Sequence, residues 1–287
     1  MNALPYLTEI AIQQFIERSL EEDVGEGDHS TLGAIPQQKQ ATARLLVKDV
    51  GVLAGVELAE RIFNTFDPKL ELRILKKDGD MINKGDIAFE VSGSARSILS
   101  TERVVLNCMQ RMSGIATYTS RLKKIIEGTA ATLIDTRKTT PNFRIAEKWA
   151  VAVGGGVNHR FALYDMIMLK DNHIDIAGGI MEAVANTKDY LRAIGKTLKI
   201  EVETRTLAEV RESINIDAID VIMLDNMSLV EMKEAVLTID GKCKIEASGG
   251  ITESNLLAVA NTGVDFISIG ALTHSVKSLD LSLKVVH

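Results

Sequence analysis

The chain has 287 residues, 46% hydrophobic and 25% charged, a balance that suits one or two packed globular domains and excludes disordered or collagen-like polymers. A net charge of −6 and only 4% aromatic residues argue against a dedicated nucleic-acid binder, which needs a basic surface and stacking rings, so any strong cationic cluster has to be local. Apolar runs such as 104–106 and 167–169 are far too short for a membrane span and no basic, apolar leader opens the chain, so the expected location is the cytoplasm. Cys108 and Cys243 make neither a disulfide framework nor a zinc spacing and are expected as buried, reduced thiols.

From Pro5 to about Leu20, apolar residues recur at helical spacing, and a glycine-broken loop, DVGEGDHST, follows. The adjacent Asp28, His29 and Ser30 cannot converge as a hydrolytic triad. Residues 41–95 carry short apolar runs separated by turns at Asp78-Gly79 and Lys84-Gly85-Asp86, which predicts a small β-rich unit with one helix near 56–66. Within it, DGDMINKGDIAFEVSG looks like the hairpin repeat of biotinyl and lipoyl carrier modules. A carrier needs an exposed lysine at the hairpin tip, and FEVSGSARS after the second Gly-Asp offers none. A helix over about 95–112 closes this half, and another is expected around 115–127.

After Gly114 the pattern becomes strand, polar tip, helix, with strands expected at 131–136, 164–170, 198–203, 220–225, 243–248 and 265–270. Such alternation means parallel strands with crossover helices. The polar residues Asp135, Arg137-Lys138, Lys170-Asp171-Asn172, Glu201, Glu203, Asp225-Asn226, Ser248-Gly249-Gly250 and Gly270 fall at or just past the strands' carboxyl ends. Parallel strands bring those ends to one edge, where βα barrels place their active sites; six strands suggest an incomplete barrel.

Five cations, Arg103, Arg137, Lys138, Arg160 and Lys170, stand out, with His159 beside them. Any one of them alone reads as solvated or locally paired. Several arriving together at strand tips of an acidic chain imply a highly charged anion, and guanidinium forks suit carboxylates and phosphates alike. SGGIT at 248–252 offers backbone amides where a glycine lets a phosphate approach, with Thr252 or a neighbour capping the next helix; a turn needing positive φ explains the glycines equally well. Glu201 and Glu203 share one strand face and Asp225 tips the next strand. These acids could hold Mg²⁺, accept bonds from sugar hydroxyls, stabilise a cationic transition state or simply pair with nearby cations. Gly154-Gly155-Gly156 reads as a helix stop, Met166, Met168 and Met223 as barrel packing, and His173 as either an orienting or a catalytic residue.

The phrase DTRKTTPNFRIAEKWAVAVGGGVNHR, followed by YDMIMLKDNHI, closely resembles the quinolinate phosphoribosyltransferase family. The likeness extends through EEDVGEGDHST, TERVVLNCMQRMSGIAT, IEVE, MLDN, EASGGIT and ISIGALTHSVKSLDLSL. Asn142-Phe143 replaces a usual Gly-Leu and Trp149 a usual Tyr; asparagine tolerates positive φ, so the loop is expected to persist.

The resemblance implies an incomplete parallel α/β barrel over 114–273, an N-terminal α/β sandwich domain over 1–113, and a tail from about 274 to 287 returning to that domain. It implies transfer of phosphoribosyl from phosphoribosyl pyrophosphate to quinolinate with loss of carbon dioxide and pyrophosphate, giving nicotinate mononucleotide for NAD biosynthesis. Arg103, Arg137, Lys138, His159, Arg160 and Lys170 then resemble contacts to the quinolinate carboxylates and a neighbouring phosphate. Glu201 or Glu203, with Asp225, resembles the acids near ribose and Mg²⁺, and Lys138, Lys170 and these acids are the candidate catalytic groups. Ser248, Gly249, Gly250 and Gly270 resemble a phosphate cradle. The family also implies a homodimer in which Arg103 crosses to the partner's site, with no nucleic-acid or membrane partner. The enzymatic alternative is a nicotinate phosphoribosyltransferase, which does not decarboxylate, or a relative recruited to another substrate; two carboxylates demand the fuller cation set present here.

Overall fold

The hydroxyl of Thr8 accepts the Ala11 amide at 3.1 Å and starts α1 (Glu9–Asp23), later than the hydrophobic spacing suggests; such a cap contributes about 1 kcal/mol. Residues 4–286 are described by the computed structural model. The loop after α1 is not open throughout: Asp28 accepts the Thr31 amide at 3.0 Å and nucleates the short α2 (His29–Ala34), so the Asp-His-Ser run serves a helix cap. Then follow β1 (Gln40–Val47), β2 (Gly51–Val52), α3 (Val56–Phe66), β3 (Glu71–Ile74), β4 (Met81–Ile82), β5 (Ile87–Ser94) and α4 (Ala95–Ile125).

The two helices expected over 95–112 and 115–127 are one, because Gly114 does not interrupt α4. Its glycine has a packing reason: a Cβ there would lie 2.3 Å from the Lys277 carbonyl oxygen, so only glycine admits the tail backbone this closely.

The chain continues with β6 (Thr132–Ile134), α5 (Arg144–Val153), β7 (Ile167–Leu169), α6 (Asp171–Ala177), α7 (Ile180–Ala193), β8 (Ile200–Thr204), α8 (Leu207–Ser213), β9 (Val221–Asp225), α9 (Leu229–Ile239), β10 (Lys244–Ser248), α10 (Leu256–Ala260), β11 (Phe266–Ser268), α11 (Ala271–His274) and β12 (Leu281–Val286). Contacts divide it into two compact units. One takes the residues up to Ser120, Lys138–Gly155 and those from Ala271; the other takes Arg121–Arg137 and Gly156–Gly270.

In the first unit an antiparallel sheet runs β12-β1-β5-β3, with β12 aligned on β1 from Thr42↔Val286 to Val47↔Leu281. The carrier-like segment is split: Met81–Ile82 pairs with β2 while Ile87–Ser94 becomes an inner strand of the main sheet. The apolar face of α3 supplies Phe63, whose ring meets Phe89 of β5 edge-on at 5.9 Å. Asn142 does adopt positive φ, at 61°, and Phe143 beside it packs edge-on against Phe15 at 5.5 Å.

A buried ion pair anchors this unit. Glu147 on α5 is 0% exposed and accepts Arg111 Nε and Nη2 at 3.0 and 2.9 Å, the Thr140 amide at 3.0 Å and the Thr140 hydroxyl at 3.0 Å. Arg111 also donates to the carbonyls of Thr273 and Val276. Cys108 is buried nearby in sequence on α4, where loss of solvent pushes its thiol up to about 12; Cys243 is only half-buried, contrary to expectation.

In the second unit six parallel strands run β6-β11-β10-β9-β8-β7, the incomplete barrel. Between β6 and β7 the described residues show no ladder; Ile134 instead makes a single parallel bridge to Val157. The strand expected at 164–170 shrinks to three residues because Asp165 accepts the amides of Phe161 and Ala162 and turns the preceding chain into a loop. Among the described residues no helix is long and apolar enough to cross a membrane.

Candidate active site

All six strands of the second unit point the same way, so their carboxyl ends form one edge. Arg137, Lys170, Glu201, Glu203, Asp225, Ser248, Gly249, Gly250 and Gly270 lie on these strands or directly after them, while His159 and Arg160 lie between α5 and β7 in the segment bridged to β6 through Val157. Arg103, exposed on α4, and Lys138, exposed after Arg137, belong to the first unit, where Thr273 Oγ1 donates to the Lys138 carbonyl at 2.8 Å.

At the end of β6, Asp135 is fully buried and accepts the His159 amide at 2.8 Å and Asn158 Nδ2 at 2.7 Å. It therefore pins the segment that carries His159 and Arg160. Arg160 is half-buried, with Nη1 donating to the Met166 carbonyl at 3.3 Å and Nη2 to Met168 Sδ at 3.4 Å, so Met168 does more than fill space. Burial, then the positive charge of Arg137, presses the Arg160 guanidinium below its ordinary proton affinity. Two guanidiniums that repel each other at a barrel edge are stabilised when an anion binds.

Beneath them, His159 Nε2 lies 2.8 Å from Glu201 Oε2 and 3.3 Å from Glu246 Oε2. Both carboxyl groups are essentially without solvent. Burial alone would lower the imidazole; the hydrogen bonds and charges of Glu201 and Glu246 outweigh it and push His159 up to about 9. Desolvation raises Glu201, and the nearby Glu246 adds to this against the opposing bond from His159. Glu201 Oε1 is buried and accepts no hydrogen bond, an acceptor left waiting. Glu246 was not among the residues singled out from the sequence. Its signal was an acid in an otherwise apolar strand, two residues before Ser248 and so on the same face.

Lys170 Nζ meets Glu203 Oε2 at 3.0 Å with its side chain half exposed. The Lys170 amide donates to His173 Nδ1 at 3.0 Å, so His173 caps the start of α6 and orients Lys170. Asp225 and Ser248 are level on neighbouring strands, and the Asn226 amide donates to the Ser248 carbonyl at 2.9 Å. Asn226, at φ 54°, also donates from Nδ2 to Asp225 Oδ2 at 2.8 Å.

The glycines after β10 both adopt the positive φ that was one of the two reasons expected for them, and Gly249 has a further reason. A Cβ on Gly249, whose φ is +87°, would lie 2.3 Å from Asn226 Oδ1, so the missing side chain makes room for Asn226. The N-cap of the next helix is not Thr252 but Asn255, and α10 runs for only five residues from Leu256. What the loop offers an anion is its own turn.

A family model described as the quinolinate phosphoribosyl transferase C-terminal domain matches residues 115–284, and its N-terminal counterpart matches 28–113. An Arabidopsis thaliana protein described as chloroplastic nicotinate-nucleotide pyrophosphorylase (carboxylating) is 44% identical, covering 96% of this chain and 82% of that one. A Bacillus subtilis protein described as a probable enzyme of the same name is 42% identical, covering 97% and 95%. The crystal structure of NadC from Streptococcus pyogenes superposes with a TM-score of 0.90 at 41% identity over 98% of this chain and 99% of that one.

Proposed function

The chain belongs to the quinolinate phosphoribosyltransferase family, and on that footing we propose how its barrel edge carries out the family's reaction. The enzyme transfers phosphoribosyl from phosphoribosyl pyrophosphate to quinolinate and decarboxylates the adduct, giving nicotinate mononucleotide, pyrophosphate and carbon dioxide in NAD biosynthesis. The observation that carries our assignment of residues is the mutually repelling Arg137 and Arg160 pair beside the positively held His159. A dianion with adjacent carboxylates relieves that repulsion; a monocarboxylate relieves half as much.

In this reading Arg137, His159, Arg160 and Lys170 orient quinolinate. The ring nitrogen attacks the anomeric carbon as the bond to pyrophosphate breaks. Positive charge building at that carbon and the ribose hydroxyls face the acids, and the unpartnered Oε1 of Glu201 is the acceptor we assign to a hydroxyl. The ribosylated nitrogen is then cationic, and its charge stabilises the electron pair left on the adjacent ring carbon when that carbon's carboxylate leaves as carbon dioxide; a proton then takes up that pair on carbon. The protein's part in that step is to hold the ring and exclude water. Ser248, Gly249, Gly250 and Gly270 are assigned to phosphate, through the turn after β10 and the start of the segment after β11.

The donor set fits Mg²⁺ through Asp225. Glu201 already carries His159 and Glu203 already carries Lys170, whereas Asp225 stands partly exposed at a strand tip with one bond from Asn226. Magnesium keeps most of its water and phosphate ligands and asks for one or two carboxylates; bound there it would neutralise the departing pyrophosphate.

We also propose the homodimer, because Arg103 is exposed on α4 rather than used within the chain's own core. Mixing Arg103→Ala with Lys170→Ala chains should restore turnover that neither has alone; no recovery would remove Arg103 from a shared site. A reducing cytoplasm is proposed from the two free thiols.

Purified protein incubated with phosphoribosyl pyrophosphate, Mg²⁺ and either quinolinate or nicotinate tests the function. Carbon dioxide and the mononucleotide are expected from quinolinate. Product from nicotinate alone would overturn the reading.

A further inference from the structure

The triad behind the site is built in an unusual way for a substrate contact. His159 is held by its backbone amide on Asp135 and by Nε2 on two separate strands, Glu201 of β8 and Glu246 of β10. One N–H cannot serve two carboxyl oxygens equally, and the distances say which is favoured: 2.8 Å to Glu201 is a full hydrogen bond, 3.3 Å to Glu246 a longer one. Two carboxyl groups sealed from water against one ring are costly unless positive charge lies between them.

The three ligand atoms lie within 4.8 Å of one another, a spacing a metal ion could also use. The full hydrogen bond at 2.8 Å is already satisfied by a proton on Nε2. The other charged groups at this level are Asp135, committed to the His159 backbone, and Arg160, which feels both Arg137 and Glu201.

We propose that Glu246 is a positioning residue: with Glu201 it clamps the Nε2 edge of His159, fixing the ring and keeping it cationic beneath the substrate. It acts through His159 and touches neither substrate. The clamp rests on the reading above only in what the ring is for; the charge and placement of the ring follow from the three side chains themselves. Raised proton affinity at His159 agrees with this arrangement. Without Glu246 the imidazole keeps one carboxyl partner, is free to tilt, and loses its proton more readily as pH rises.

The test is Glu246→Gln, which keeps the size of the side chain and removes its charge. In the substrate-free protein, the ring of His159 is titrated by nuclear magnetic resonance with labelled histidine, its signal assigned by loss in His159→Gln. We expect the midpoint to fall by about one pH unit. With substrates, kcat/KM for quinolinate should drop by about tenfold above neutral pH while KM for phosphoribosyl pyrophosphate stays within about twofold. Glu246→Asp, which keeps the charge but withdraws it, should fall between wild type and Glu246→Gln. If Glu246→Gln does not fold, Glu246→Asp carries the test alone, with a smaller fall in the same direction.

An unmoved His159 midpoint in the folded variant overturns the proposal, as does an equal loss toward both substrates. Failure of wild-type protein to turn over quinolinate would sink the functional reading, yet the titration without substrate would still judge the clamp.

Discussion

Glu147 in the first unit and Glu201 in the second are both 0% exposed and both face a cation, yet their oxygens are served differently. Glu147 receives two bonds from Arg111 and two from Thr140, and Arg111 completes itself on two carbonyls. Glu201 has one oxygen on His159, shared with a second acid, and one oxygen with no donor. A saturated buried ion pair holds a fold in register. One left short of donors is destabilised, and the fold tolerates it where a ligand supplies what is missing.

The largest test of that difference is Glu147→Ala. It strands the Arg111 charge and should cost about 3–5 kcal/mol in denaturant unfolding, with activity lost only as the fold is lost. A variant as stable as wild type would break the comparison on the structural side.

Next come Arg137→Ala and Lys170→Ala. Each should lower kcat/KM by about 100-fold or more, with a melting temperature close to wild type, since the half-exposed Lys170–Glu203 pair contributes only about 0–1 kcal/mol. Quinolinate turnover at the wild-type rate in both variants would empty the proposed site.

Glu201→Gln should reduce turnover by about tenfold or more while leaving stability at neutral pH within about 1 kcal/mol, because it removes an incompletely served carboxylate. Destabilisation on the scale of Glu147→Ala would show that the two acids do the same work.

The last test is a pH trend. His159 and Glu201 both bind their protons more tightly folded than unfolded, at about 9 and about 7 against ordinary values of 6.5 and 4.5. The folded state therefore holds more protons across this range, so stability falls as pH rises through the titration of the buried cluster. Denaturation midpoints followed from acid to alkaline pH should decline there, and a rising curve would contradict the buried triad.

Much of the proposed site was legible from strand tips. Arg137, Lys170, Asp225 and Ser248 sit at or just past apolar strand runs, and parallel strands carry such positions to one edge whatever the details of packing; Arg160 arrives there because Asp135 holds the segment before it. Glu246 was not legible, because a single acid within KIEAS signals neither partner nor depth until β8 and β10 are placed. The positive φ of Gly249 was legible, but its second reason was not: the side chain its lack of Cβ admits comes from Asn226, just past the neighbouring strand. Gly114 looked like a helix boundary because its role depends on Lys277, remote in sequence.

Periodicity and polar punctuation, which are local, determined from the sequence alone that a small β-rich unit is followed by parallel strands with crossover helices, an incomplete barrel with polar residues gathered at its strand ends. Tertiary structure alone decided which acid meets which cation, which oxygen stays bare and which glycine yields space. Those outcomes depend on distances of about 3 Å between residues tens of positions apart, set by strand register and by the exclusion of water.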